Sequence, residues 1–234
     1  MKILSESKRI SLWILPPEPL RTTLSSIQSD IIASHPKDRR LPTFLPHVTL
    51  IGGIPISECC SAEEIKSGHQ QHDDGDIDEE AARVVLRRLQ LAFQSHGGIT
   101  CKSIEEKGVF AERTPAGDGA SEGMVVKWNQ SCVSILERNS SLMKAMQVAD
   151  DALFATTGNN KELPMERHFK LPLFEPHYSF VYGNDAHLIP ASLECPPTFT
   201  STEMVVMWTH PSELAAVESW KEIGRVSMPQ RSMI

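Results

Sequence analysis

A decapeptide occurs twice in this chain, and the repeat limits the folds open to it. The first copy is Leu41-Pro42-Thr43-Phe44-Leu45-Pro46-His47-Val48-Thr49-Leu50, and the second is Leu171-Pro172-Leu173-Phe174-Glu175-Pro176-His177-Tyr178-Ser179-Phe180. Leucine, proline, phenylalanine, proline and histidine recur at the same five places. A hydroxyl residue follows two places after each histidine, and a large apolar residue closes both copies. The copies lie 130 residues apart, each behind a basic cluster: Lys37, Arg39 and Arg40 before the first, Arg167, His168 and Lys170 before the second.

The period of a strand turns this pattern into chemistry. Pro46 and Pro176 suit the start of a strand, where no ladder donor is needed. The segments Val48–Ile51 and Tyr178–Tyr182 then read as strands. Side chains two residues apart share a face, roughly 6–7 Å from one another. His47 therefore stands beside Thr49, and His177 beside Ser179. An imidazole can donate or accept a proton near neutral pH. Two such pairs facing each other across a cleft would flank a phosphate. One histidine would take a proton from water, the other would give one to the leaving oxygen, and the hydroxyls would hold the non-bridging oxygens.

With the H-x-[TS] motif used twice, the chain resembles the two-histidine phosphoesterase superfamily, and within it the plant and fungal cyclic nucleotide phosphodiesterases. Ser11-Leu12-Trp13-Ile14-Leu15-Pro16 is similar to the S-x-W-x-L-P opening of the plant enzymes. Tyr182, five residues after His177, also matches. Trp220-Lys221-Glu222-Ile223-Gly224-Arg225-Val226 resembles the closing W-K-x-x-G-R-V strand of the fungal ones. The resemblance spans about residues 10–228.

It implies an α+β, bilobal fold with two antiparallel sheets facing across a central cleft and helices outside. It implies two substrates, a nucleoside 2′,3′-cyclic phosphate opened to the 2′-phosphate and ADP-ribose 1″,2″-cyclic phosphate, a by-product of tRNA splicing, opened to the 1″-phosphate. Trp13 and Tyr182 would stack on the nucleobase. In the plant-type scheme His177 is the base and His47 the acid, with Thr49 and Ser179 on the phosphate. The placement of Arg39, Arg40, Arg167 and Lys170 makes one or two of them candidate phosphate contacts. No cofactor is expected. The partner is a small cyclic-phosphate nucleotide acted on by a monomer, with no stable nucleic-acid partner and no membrane. Two rival readings remain: an enzyme acting on the cyclic phosphate ends of oligonucleotides, and a non-catalytic nucleotide-binding module on the same fold.

The chain of 234 residues is expected to form one bilobal domain, 1–234, with 57–77 as a partly disordered acidic insertion. Its net charge of −7 is local, because residues 61–80 hold eight acidic side chains against Lys66 alone. The remaining chain is balanced, which leaves an anionic substrate open. It lacks the broad basic stripe of a protein that tracks long nucleic acid. No apolar run approaches the roughly 18 residues of a membrane span. The charged start Met1–Glu6 does not read as a secretory signal. Five cysteines without a C-x-x-C suit a reducing compartment and argue against a zinc site, so a cytoplasmic protein is expected. His69 and His72, with Asp73, Asp74 and Asp76, lie in a polar tract with no rigid frame for a metal.

Periodicity predicts the remaining elements. Helices are expected over 18–34, 78–96 and 134–156, with a short one at 190–194. Further strands are expected over 10–16, 99–112, 124–128, 198–209 and 217–228.

Overall fold

The computed structural model describes residues 8–34, 41–61, 63–65, 77–105, 109–110, 130–154, 176–182, 193–210 and 214–229. Its elements are β1 (Arg9–Ile14), α1 (Leu20–Ala33), β2 (Val48–Pro55), α2 (Ile77–Phe93), β3 (Ile99–Cys101), β4 (Val109–Phe110), β5 (Gln130–Ile135), α3 (Ser140–Phe154), β6 (His177–Tyr182), β7 (Phe199–Ser201), β8 (Glu203–Trp208) and β9 (Lys221–Ser227). Seven strands form one antiparallel sheet in the order β4-β5-β6-β2-β1-β8-β9, and β3 pairs with β7 in a second, small sheet. The two expected lobes are thus halves of a continuous ladder. Among the described residues they join at the single pair Val48↔Tyr178, between the two motif strands.

Alternation along the strands sorts the side chains. Ile10, Leu12 and Ile14 of β1, Val48 and Leu50 of β2, and Met204 and Val206 of β8 enter the main core. There they meet the apolar stripes of the helices: Leu24 and Ile31 from α1, Val85, Leu89 and Phe93 from α2, and Leu142, Met146, Ala149 and Leu153 from α3. The spacings of three and four residues are those of one helical face. Trp13, Leu15, Val205 and Met207 form a separate cluster on the other side, with Leu45 and Trp220 packed on it. The acidic first turn of α2, Asp78 to Glu80, complements the positive helix end. The Asn139 side chain accepts from the Leu142 N–H and so caps α3. Gly224 lets β9 approach α2, since a Cβ there would run into Leu86.

Three expectations are corrected. The helix expected from 134 begins at Ser140, and residues before it form β5, the partner of the second motif strand. The expected strand 99–112 divides between the two sheets: β3 pairs with β7, whereas β4 pairs with β5. Ser103 marks the crossing, bridged to Leu136 and donating to the Pro196 carbonyl. The third correction is the insertion at 57–77, whose first part is built into the fold. Cys59 and Cys60 are buried and Ile65 packs on the core. Ser61 and Glu64 form a reciprocal capping box, the serine hydroxyl accepting from the Glu64 N–H and the carboxylate from the Ser61 N–H. Residues 66–76, including His69, His72, Asp73, Asp74 and Asp76, lie outside the described residues, as does the expected strand 124–128.

Arg88 holds this segment down. It donates to the Cys59 and Leu153 carbonyls and pairs with Glu64. Arg88→Met should therefore cost roughly 2–3 kcal/mol in urea unfolding, below the full value of a buried pair because both partners keep some solvent contact. A loss below about 0.5 kcal/mol, the scale of an ordinary surface substitution, would reduce 59–65 to a peripheral loop.

Candidate active site

The pair Val48↔Tyr178 sets the geometry of both motifs. Continuing the antiparallel register one residue each way sets His47 opposite Ser179 and Thr49 opposite His177. All four side chains then share the face opposite the helices. Directly opposed residues have Cβ atoms about 4.5–5.5 Å apart. On the outer side of β2, Thr49 lies opposite Trp13 of β1. On the outer side of β6, Ser179 lies opposite Val133 and His177 opposite Ile135 of β5.

His47 is fully buried. Its Nδ1 lies 2.6 Å from the Leu45 carbonyl oxygen. A carbonyl can only accept, so Nδ1 carries the hydrogen. Burial drives the His47 pKa down from 6.5 to about 3, opposed by the Leu45 carbonyl and reinforced by the charge of His177. The ring is therefore neutral near pH 7, and Nε2 is left as an acceptor. Tyr182 supplies the donor, with its hydroxyl 3.2 Å from Nε2. Burial pushes the phenol well above its ordinary range, while hydrogen bonds with Ser179 and Thr49 pull the other way. Tyr182 consequently keeps its proton, at a point shared by His47, Ser179 and Thr49.

Tyr182 reaches this face through an irregularity in β6. Five residues from His177, it would point to the opposite face of a regular strand. Between the pairs Val133↔Ser179 and Gln130↔Tyr182 both strands leave the regular register: Cys132 pairs with Val181, so Phe180 of β6 and Ser131 of β5 each bulge without a partner. Phe180 and Val181 both enter the main core, and alternation resumes with Tyr182 on the site face. The matched bulges on the two strands thus change which side of the sheet β6 presents beyond Ser179, while its register with β5 is regained at Tyr182.

Trp13 lies flat on His47, ring centroids 3.7 Å apart and 11° from parallel. Phe44 stacks on Tyr182 at 4.1 Å. Trp220 meets Trp13 at 5.9 Å and Tyr182 at 6.4 Å. Trp13 and Tyr182, expected to stack on a nucleobase, are each 3% exposed and engaged with these neighbours. Phe44 and Trp220 are the half-buried aromatic residues at the rim. Neither was assigned a site role from sequence, although Phe44 sits in the repeated decapeptide and Trp220 in the closing motif. Arg39, Arg40, Arg167 and Lys170 lie outside the described residues. No helix among the described residues is long and apolar enough to cross a membrane.

Comparison with solved structures finds one with this architecture and others of lower similarity. TT0787 of Thermus thermophilus superposes with a TM-score of 0.52 and 10% identity, over 95% of this chain and 99% of its own. E. coli LigT complexed with 3′-AMP aligns at a TM-score of 0.45 and 16% identity, covering 97% of this chain and 100% of its own. A phosphoesterase aligns at 0.45 and 13%, over 95% of this chain and 99% of its own. No protein-family model matches the sequence, and no curated protein matches it. At 10% identity the likeness to TT0787 is one of fold: mixed α+β, with a large antiparallel sheet beside a small one.

The burial of His47 has a consequence for stability. Its folded pKa of about 3 lies below the value near 6.5 of an exposed histidine, so the unfolded chain binds the extra proton first. The stabilisation is fully present above about pH 6.5 and is lost as pH falls toward the folded value, with a slope approaching roughly 1.4 kcal/mol per pH unit. At Glu203, burial opposes ionisation, but hydrogen bonds from Arg225 and Arg21 outweigh it and hold the carboxyl below 4.5. Its loss therefore begins at lower pH. Urea midpoints between pH 7 and 5 should show the His47 slope, and His47→Gln should flatten it. An unchanged slope in that variant would mean that this imidazole is not buried neutral.

Proposed function

We propose that the chain is a two-histidine phosphodiesterase that hydrolyses cyclic phosphates without a metal. Its proposed substrates are nucleoside 2′,3′-cyclic phosphates, opened to 2′-phosphates, and ADP-ribose 1″,2″-cyclic phosphate, opened to the 1″-phosphate. One observation carries the reading: His47 and Thr49 share a sheet face with His177 and Ser179 across a paired strand boundary. That arrangement offers two proton-transfer groups and two hydroxyl donors on one face of the sheet.

In the proposed reaction on a 2′,3′-cyclic phosphate, water attacks phosphorus while its proton passes to Nε2 of His47. The bond from phosphorus to O3′ breaks, and His177, as imidazolium, gives a ring proton to that oxygen. Thr49 and Ser179 donate to the non-bridging oxygens, where charge grows in the transition state. His47 then holds one proton more and His177 one fewer, and exchange through water restores the pair. These roles reverse the plant-type expectation. Their support is the tautomer of His47, whose proton is on Nδ1 and whose Nε2 is an acceptor. Arg39, Arg40 and Lys170, just upstream of the motifs in sequence, are proposed as cationic phosphate contacts. The nucleobase is assigned to Phe44 and Trp220, because Trp13 and Tyr182 are buried and occupied.

Turnover of both cyclic substrates in excess chelator tests the reading. His47→Ala and His177→Ala should each lower kcat roughly 10²–10⁴-fold, the usual range for one proton-transfer group. Thr49→Ala and Ser179→Ala remove neutral donors and should cost less. A substrate with an activated leaving group needs little acid and should partly rescue His177→Ala but not His47→Ala. Rescue confined to His47→Ala would exchange the roles. Full activity in either single variant would remove the two-histidine mechanism, as would activity lost to chelator and restored by zinc or magnesium. Tight nucleotide binding without turnover would make the protein a binding module. Turnover of oligonucleotide ends alone would make it an RNA-end enzyme.

The rim assignment has its own measurement. Phe44→Ala and Trp220→Ala should raise KM more than they lower kcat, by the roughly 1–3 kcal/mol of a base stack. Trp13→Ala should instead lower the unfolding midpoint. A raised KM in Trp13→Ala with the fold intact would return base stacking to Trp13.

A further inference from the structure

Phe180 is the bulged residue of β6 in the irregular stretch between Ser179 and Tyr182, and it has no register partner on β5 or on β2 among the described residues. Its backbone carbonyl is nevertheless buried with the strand, where an unpaired acceptor is costly. Gln28 answers it. This residue sits on the buried stripe of α1, between Leu24 and Ile31, and is 5% exposed. Its Nε2 donates to the Phe180 carbonyl oxygen at 3.0 Å. A glutamine at this point of an apolar stripe is an unusual choice, because apolar side chains fill such positions without a partner.

The contact falls where the parity of β6 changes. Ser179, just before the bulge, hydrogen-bonds the Tyr182 phenol, two residues beyond it. With regular alternation through this stretch, Tyr182 would turn into the core and Val181 would face the site. A bulge leaves a residue unpaired in the ladder, and a buried carbonyl left so needs another donor. Here the donor comes from α1, the helix between the first strand and the first motif.

We propose that Gln28 is a positioning residue. By satisfying the Phe180 carbonyl it holds the bulge that turns Tyr182 onto the site face, where the phenol donates to His47. Gln28 acts through the backbone of β6 and then through Tyr182. Its consequence for turnover rests on the phosphodiesterase reading. The placement of Tyr182 against His47 does not, and can be read without any substrate.

The test is imidazole ¹⁵N spectroscopy of the full chain labelled at histidine, at pH 7, following the His47 Nε2 resonance. Tyr182→Phe removes the donor and sets the size and sign of the change for a lost hydrogen bond. Gln28→Met keeps the length of the side chain and deletes its donor. It should move the resonance in the same direction by a comparable amount, and should add nothing in a Tyr182→Phe background. Gln28→Glu supplies a second arm. A carboxyl buried at this site can donate an O–H when protonated, so its resonance should return toward wild type between pH 8 and pH 5.

Three results would overturn the proposal. The first is an unmoved His47 resonance in a folded Gln28→Met protein, which would make the glutamine a packing residue only. The second is an equal shift from Gln28→Met with and without the Tyr182 hydroxyl, which would show an effect that bypasses Tyr182. The third applies if Gln28→Met does not fold: a Gln28→Glu spectrum that stays wild-type at a pH where the introduced carboxyl is ionised would show that no donor is needed there. Failure of the phosphodiesterase reading would leave all of these spectra unchanged, so the two ideas stand or fall separately.

Discussion

The pairing of Val48 with Tyr178 is the constraint on which the site depends. β2 is held on its other edge by β1, and β6 by β5, so each motif strand is anchored within its own half of the sheet. The single pair between them fixes how the halves meet. Side chains alternate, so a slip of one residue would bring Val48 and Tyr178 to the site face and send an imidazole into the core. Both of those residues are almost fully buried under the helices. Exposing one such side chain costs about 1.5–3 kcal/mol. Apolar burial on one face thus dictates where the polar groups stand on the other.

The same enclosure sets the chemical state of His47. Stacking by Trp13 on one side and the aromatic rim beyond it remove the water that would stabilise a charged ring. The Leu45 carbonyl then selects the tautomer. Neither effect needs a neighbouring carboxylate. The backbone just upstream of β2 provides the acceptor, and β1 and the segment before β9 provide the aromatic walls. These three segments of one half-sheet therefore cooperate to aim one nitrogen toward the second motif strand.

Much of this was legible in the residues, and the failures have physical causes. The repeated decapeptide located both histidines and both hydroxyls because a period of two needs only local sequence. Helix α1 and helix α2 were legible from their apolar spacing. β5 was missed because Val133, Ile135 and Leu136 form a short apolar run that suits a strand or the start of a helix equally. The cap at Asn139 was the signal that separated them. The Ser61-x-x-Glu64 capping box lies in a segment whose polar, acidic composition is that of a surface loop. The side of the sheet taken by Tyr182 was not legible at all, since a bulge is set by pairing with β5 and by a glutamine about 150 residues earlier in the chain.

Tyr182 also bears on what the site can admit. Its hydroxyl occupies the point where His47, Thr49 and Ser179 converge. Each of these contacts is a bond between neutral groups, with a net worth of about 0.5–1.5 kcal/mol. A neutral ligand that displaced the phenol would replace such bonds with others of the same strength, and would gain little. A phosphate oxygen carries charge, and hydrogen bonds to ionised acceptors are roughly twice as strong. The exchange would then be favourable at Thr49 and Ser179. An anion beside His47 would also stabilise the imidazolium that burial otherwise suppresses. On the proposed reading, the tyrosine is an internal competitor of calibrated strength: it keeps the dry site satisfied in the absence of ligand and yields to a phosphate in preference to an uncharged group of the same shape.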